Sequence, residues 1–343
     1  MAEIVTKNEF KVSNIKQYDL FSTFYGPEEG LSNSIELWDH IPKYFVTEEH
    51  QATLRTAEGF LPTLKRSFKI AGVDWSMEIQ PAQIQMPDGS EKAFYPSYSE
   101  EVIEDALRKI FTQDEYGTYD PNQVKSWVRF SLNQVARELT KWGSARNLDE
   151  IKRSLDIMSG STVKLFRTNK EVHSTQIITS LTRVDRADYL GNSENRWACR
   201  LPDILSDAIN NGRYRQYNYA LSMSFKTQLC RWLHKRFSHN YTQAGHDGFY
   251  NLLLSSIQRD SGLLDKGDMK AKRRKIERAL NELGNKGVIK SYDHRVYTEG
   301  RKITDVKYHL FPSDDFISEM KAANKRFKNT TKNIEAFEGE EII

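Results

Sequence analysis

The chain has 343 residues, 38% of them apolar and 28% charged, with a formal net charge of +3. That length suits two or three domains rather than one small module. No run of about 18 apolar residues could cross a bilayer, Met1-Ala-Glu-Ile-Val-Thr-Lys7 lacks the apolar stretch of a secretory leader, and two cysteines, Cys199 and Cys230, cannot staple a fold, so a cytoplasmic protein without a membrane segment is expected.

Residues 1–30 show no sustained period and end in the turn-rich Gly26-Pro-Glu-Glu-Gly30. From Ser67 to Gln85, Phe68, Ile70, Val73, Trp75, Met77 and Ile79 alternate around Gly72, which predicts two strands and a tight turn. Pro87-Asp-Gly-Ser90 predicts another turn. The period then becomes helical. Ser99 is positioned to cap a helix bearing Val102, Ile103, Ala106, Leu107 and Ile110. Ser131 caps a second with Leu132, Val135, Ala136 and Leu139, and Gly143 follows it. Asn147 caps a third, with Ile151, Leu155 and Met158 inward and Gly160 as a stop. Two strand-like runs, Thr162–Phe166 and Gln176–Thr182, flank the polar Arg167–Ser174, read as a loop. Three helices and then a hairpin describe a winged helix.

The order repeats beyond a joining region at 196–219. Leu221–Phe237 and Phe249–Ile257 are amphipathic, a third helix runs from Asp268 to Leu283, and strands at Val288 and Asp305 frame Glu299-Gly-Arg-Lys302. Ile151-Lys-Arg-Ser-Leu aligns with Ile276-Glu-Arg-Ala-Leu at an offset of 125 residues, with strands expected at Val163 and Val288. From Ser313 a C-terminal helix with a frayed acidic tail is expected. The predicted fold is α+β: a flexible segment at 1–30, a first winged-helix domain with N-terminal strands at 31–195, a second winged-helix domain at 196–312, and the helix and tail at 313–343.

Charge is unevenly placed. Between Lys266 and Lys302 there are 12 Lys or Arg against 5 Asp or Glu, whereas Glu335–Ile343 carries four Glu and no base. A concentrated positive field attracts polyanions. On the third helix of the second unit, Met269, Ile276, Ala279, Leu280 and Leu283 form an inward stripe. Lys270, Arg274, Lys275 and Arg278 then face away, with Lys272 and Arg273 at the flank. In a helix-turn-helix these are the positions that enter the major groove, where Arg can grip guanine O6 and N7 together. Arg295, Arg301 and Lys302 on the hairpin would reach the adjacent backbone. The plain alternative is a solvated basic face. In the first unit, Arg146, Lys152, Arg153, Lys164, Arg167 and Lys170 are candidates for phosphate contact, but Asp149, Glu150 and Asp156 share the helix, and ordinary surface remains equally open.

Several enzymatic readings lack parts. There is no Gly-x-x-x-x-Gly-Lys-[Ser/Thr], no His-x-His metal pair and no His-x-x-Arg box. His234 and His239 read as surface or packing residues. Trp127, Trp142, Trp197 and Trp232 read as core, while Tyr214, Tyr217 and Tyr219 beside Arg213 and Arg215 could line a nucleic-acid surface. No catalytic residue, cofactor or metal is expected.

Met269-Lys-Ala-Lys-Arg-Arg-Lys-Ile-Glu-Arg-Ala-Leu-Asn-Glu-Leu-Gly-Asn-Lys-Gly-Val-Ile289 resembles the recognition-helix region of iteron-binding plasmid replication initiators of the TrfA and broad-host-range RepC type. Trp197–Ile209, Tyr219-Ala-Leu and Gln228-Leu-Cys-Arg-Trp-Leu are similar to their linker and the opening of their second winged helix, and Ser131–Leu139 with Ile151–Leu155 match the first in layout. The resemblance covers roughly residues 90–312. It implies binding of repeated double-stranded origin DNA, opening of an AT-rich tract, recruitment of host DnaA and replicative helicase, and a homodimer in equilibrium with monomer. Family members of the TrfA type carry a sliding-clamp peptide near the N-terminus; Gln17, Tyr18, Asp19, Leu20 and Phe21 are similar, with Tyr18 in place of the usual Leu, and Leu20-Phe21 would supply the apolar anchor. A tandem winged-helix transcriptional repressor is the alternative.

Overall fold

The computed structural model describes residues 31–86, 88–112, 117–120, 125–184, 196–210, 214–241 and 248–340. Strand β1 (Leu31–Ser34) leads into α1 (Glu36–His40) and α2 (Glu48–Leu54). The alternating segment forms β2 (Leu64–Ile70) and β3 (Val73–Gln80), joined through Ala71 and Gly72 at φ 48° and 80°. Positive φ at both central residues is the requirement of a type I′ hairpin. Phe68, Ile70, Met77 and Ile79 are buried, while Val73 sits exposed beside the turn.

After the pair β4 (Ala82–Gln85) and β5 (Glu91–Phe94) comes α3 (Tyr98–Phe111). Its cap is Ser97 rather than Ser99. The Glu100 carboxylate accepts from the Ser97 N–H at 2.7 Å and from its hydroxyl at 2.8 Å, a reciprocal cap that needs Ser three residues before Glu. Ser99 accepts instead from Arg146 Nε at 3.2 Å. Strands β6 (Gly117–Asp120) and β7 (Lys125–Phe130) precede α4 (Leu132–Lys141) and α5 (Leu148–Gly160), whose caps Ser131 and Asn147 accept from Gln134 N and Glu150 N as expected.

The segment expected as a polar loop is largely strand. β8 (Thr162–Arg167) and β9 (Lys170–Gln176) close through two residues, Thr168 and Asn169, at φ 49° and 61°. Polar side chains conceal this strand because it lies at an edge with one face toward water. The hairpin extends β3, giving the sheet order β2-β3-β8-β9. A second sheet, β10 (Ser180–Thr182), β11 (Trp197–Arg200), β7 and β6, takes up the strand that a simple winged helix pairs with its own wing.

Residues assigned by sequence to the second domain complete the first. Leu201, Leu205 and Ala208, around and within α6 (Asp203–Asn210), Tyr214, Tyr217 in β12 (Arg215–Asn218), and Tyr219 and Met223 in α7 (Tyr219–Met223) belong to the first core. β12 also pairs with β1. The second core begins at Phe225 and includes Phe316, Ile317 and Met320, so the two cores divide near Ser224 and not at 195/196.

The second unit follows the winged-helix order closely. It comprises α8 (Gln228–Asn240), β13 (Tyr250–Leu253), α9 (Leu254–Ser261), α10 (Met269–Asn285), β14 (Ile289–Glu299) and β15 (Lys302–Pro312), with sheet order β13-β15-β14, and α11 (Asp314–Glu340) follows. Two expected elements split. Leu221–Phe237 divides into α7 and α8 because Thr227 caps a new helix by accepting from Cys230 N at 3.2 Å. Phe249–Ile257 starts as strand β13, since Leu252 must face the core while pairing with β15. The C-terminal helix persists to Glu340, with no break at the acidic residues expected to fray. The 125-residue repeat holds at the core: Ile151, Leu155, Met158 and Val163 are buried, as are Ile276, Leu280, Leu283 and Val288.

The units meet across charged side chains that the helical pattern alone hides. α3 is buried on its polar side too, through Glu100, Glu101, Glu104, Asp105 and Arg108. From α8, Lys235 Nζ donates to both Asp105 oxygens at 2.7 Å, Gln228 Nε2 donates to Glu101 Oε2 at 2.7 Å, and Arg231 Nη2 lies 3.5 Å from the same oxygen. On the first unit's side Arg108 pairs with Asp39 at 2.5 Å, and Lys43 lies 3.6 Å from Glu104, which also accepts from Trp38 and Tyr44. Burial, the largest single effect, would depress the Lys235 ammonium, but Asp105, Tyr217, Asp39 and Glu101 together outweigh it and the net shift is upward. Burial likewise opposes ionised Asp39, yet Arg108 holds its carboxyl well below the usual range.

Candidate nucleic-acid interface

α10 separates its apolar and basic residues cleanly. Asp268 caps it by accepting from Ala271 N at 2.7 Å. Ile276, Ala279, Leu280 and Leu283 are buried and Met269 packs partly against the same core. Lys270, Arg274 and Arg278, four residues apart along the opposite face, are exposed together with Lys275 and Asn281. Those four cations form no ion pair with another described residue. Lys272 and Arg273 are half-buried and occupied: Lys272 Nζ donates to Gln258 Oε1 at 3.0 Å, while Arg273 lies 3.4 Å from Glu277 and 3.2 Å from His294 Nε2. They brace the helix instead of extending its open face.

The wing is long. Its two strands have 11 residues each and meet through Gly300-Arg301, with Glu299 opposite Lys302 and Gly300 at φ 60°. A positive first central residue fits a type II′ turn, which Gly adopts without strain. At about 3.3 Å per residue the hairpin extends roughly 35 Å. Arg295, Arg301 and Lys302 are exposed, and Arg295 lies 5.5 Å from the Tyr297 ring and opposite Lys307. Lys290, exposed near the base of β14, adds a cation not selected from the sequence.

First-unit candidates are turned toward the protein's own groups. Arg146 donates to the Ala145 carbonyl at 2.8 Å and to Ser99, securing the turn before α5. Lys152 pairs with Asp149 at 3.1 Å, Arg153 with Glu48 at 3.9 Å, and Lys164 with Glu171 at 3.6 Å. Arg167 lies 5.9 Å from the Trp75 ring, and Lys170 is exposed beyond it. Exposed pairs of this kind contribute little and can exchange for phosphate.

Other aromatic and titratable groups serve packing. Tyr214, Tyr217 and Tyr219 are buried, which removes the suggested stacking surface; Arg213 lies outside the described residues. The four tryptophans read as core are only half-buried, and the fully buried one is Trp38. His234 and His239 are both buried, and burial, aided by Lys235, holds His234 down to about 3. Burial pushes the Cys199 thiol up to about 12. Among the described residues no group of three or more His, Cys, Asp or Glu is placed to hold a metal, and no helix is long and apolar enough to cross a membrane. Gln17–Phe21 lies outside the described residues.

No protein-family model matches the sequence, and no curated protein matches it. The structure is similar to two crystal structures of domains 2 and 3 of RctB, each 12% identical, with TM-scores of 0.45 and 0.46. Each match covers 79% of this chain and 98% or 97% of the other. It is also similar, at 11% identity and a TM-score of 0.37, to the Pi initiator protein in complex with iteron DNA, over 84% of this chain and 99% of that one.

Proposed function

We propose that this chain is a sequence-specific double-stranded DNA-binding protein that initiates replication, acting by binding and without catalysis of its own. The observation that carries the DNA reading is the outer face of α10: four exposed cations with no ion pair among the described residues, on the second helix of a helix-turn-helix whose other face is core. Lys270, Arg274, Lys275 and Arg278 enter the major groove, and Arg295, Arg301 and Lys302 follow the phosphates on either side. The first unit adds backbone contacts and self-association.

Replication is the role that the sequence resemblance adds. On that reading the DNA is a set of repeats at an origin, DnaA and the helicase are recruited there, Gln17–Phe21 engages the clamp, and monomer and homodimer interconvert. The test is selection of duplexes from a random library by the full chain, followed by a search for the recovered sequence as direct repeats beside an AT-rich tract near the gene. Failure to enrich any duplex sequence would sink the DNA reading. Enrichment without such repeats would leave a repressor as the better account. Replacing Leu20 and Phe21 by Ala is expected to abolish autonomous replication with duplex affinity unchanged.

A further inference from the structure

The turn before the recognition helix is held by the other unit. Arg66 projects from β2 onto residues 258–265. Its Nη1 and Nη2 donate to the two Asp265 oxygens at 2.6 and 3.1 Å, Nη2 donates to the Gln258 carbonyl at 2.6 Å, and Nε donates to the Arg259 carbonyl at 3.1 Å. One planar guanidinium thus closes the C-terminal end of α9, where the Gln258 carbonyl also accepts from the Gly262 N–H at 3.1 Å and the macrodipole is negative, and fastens the turn beyond it. The Arg66 side chain is only 13% exposed, and its guanidinium lies 4.9 Å from the Phe45 ring.

Two further contacts make this a junction of defined geometry. Gly262 ends α9 at φ 72°, and a Cβ there would lie 2.6 Å from Phe45 Cβ and 3.0 Å from Arg66 Cζ. Asp260, 1% exposed, accepts from the Lys69 backbone N–H at 2.9 Å, so the far end of β2 is tied to the same helix. Within the second unit, Lys272 then joins Gln258 to the first turn of α10. β2 shares its sheet with the hairpin β8–β9. A continuous hydrogen-bonded path therefore runs from the first unit's wing, through β3, β2 and Arg66, to the start of α10.

We infer that Arg66 is a positioning residue for base recognition: without touching DNA, it fixes α10 relative to the first unit, so that the two read a duplex at one spacing. This rests on the DNA-binding reading above. A lysine cannot replace it, because a point charge does not reproduce a planar fork bridging a carboxylate and two carbonyls.

The test uses the full-length chain, a duplex it recovers from a random library, and the same duplex with one or two base pairs inserted between the two protected segments. Wild type is expected to discriminate against the insertions by about tenfold or more, as for a mismatch in a specific site. Arg66→Ala and Arg66→Lys are expected to lose most of that discrimination while retaining affinity for a random duplex and the wild-type salt dependence. Asp265→Ala, on the exposed turn, carries the same expectation should Arg66→Ala not fold. A double-mutant cycle adds a readout that loss of stability would not give: Arg66→Ala should cost less affinity in an Arg274→Ala background than alone. Wild type tolerating the insertions overturns the inference and leaves DNA binding standing. So does a folded Arg66 or Asp265 variant that keeps wild-type spacing preference. Failure of wild type to select any duplex overturns both.

Discussion

Helices α8 and α10 of the second unit are both rich in cations and use them in opposite ways. On α8, Arg231 and Lys235 are buried and matched to Glu101 and Asp105 of the first unit, and Arg236 lies 3.0 Å from Asp260. On α10, Lys270, Arg274, Lys275 and Arg278 are exposed and have no carboxylate partner among the described residues. Residue type does not separate the two groups; the partner does. Glu101 and Asp105 on α3 convert the basic side of α8 into an interface, while among the described residues no carboxylate pairs with the four cations on the outer face of α10.

The contrast is tested most strongly at Lys235. Lys235→Met leaves Asp105 buried without its counter-charge, and unfolding free energy should fall by about 3–5 kcal/mol. Denaturant titration checks this, and a near-zero loss would mean that the seam is not closed in solution. Replacing Lys235 and Asp105 together by apolar residues should restore much of the loss.

Acid should act on the seam and its neighbourhood before it acts on α10. Burial first, then His239 and Arg236, pushes His40 down to about 3 from an ordinary value of 6.5, and burial also holds His234 near 3. Both imidazoles are neutral at pH 7 in either state, and below 6.5 only the unfolded chain takes up the proton. Each should therefore cost about 1.4 kcal/mol of stability per pH unit from 6.5 downward. Burial-opposed carboxylates such as Asp39, held low by Arg108, add to the loss only at lower pH. Thermal melting between pH 7 and 5 reads the histidine contribution, and His234→Phe should flatten the slope.

On α10 the same kind of truncation should leave folding intact. Arg274→Ala or Arg278→Ala should weaken a selected duplex by about 1–3 kcal/mol wherever the side chain makes a bidentate base contact, with unfolding midpoints unchanged. The smallest effect belongs to the wing. Lys302→Ala should weaken all duplexes similarly and lower the slope of log affinity against log salt by about 1. A preserved slope would place Lys302 off the phosphate backbone.

Much of this division was legible in the sequence wherever a side chain's role follows from its own helix. The stripe Met269, Ile276, Ala279, Leu280 and Leu283 defines the outward cations by geometry, and Asn147, Ser131 and Asp268 mark the helix starts. The seam was not legible, because it depends on which helix lies opposite. Glu101 and Asp105 lie off the apolar stripe of their helix, and nothing within that helix shows that Arg231 and Lys235, about 130 residues later, are brought against them. Arg66 was hidden for the same reason: its partners lie beyond position 257. β9 was missed because an edge strand with polar side chains lacks the apolar alternation that marks a strand. The cores divide near Ser224 and not near 196 because Tyr217 and Tyr219, offered beside Arg215 as candidates for a nucleic-acid surface, fill the first core.

The central claim is that the uncovered face of α10 reads duplex DNA. Its most direct test is a salt-matched titration of a library-selected duplex with the wild-type chain and with a variant carrying Ala at Lys270, Arg274, Lys275 and Arg278. The account predicts that the variant folds with an unchanged midpoint and binds the selected duplex no better than a random one. A folded variant that retained wild-type preference for the selected sequence would contradict it.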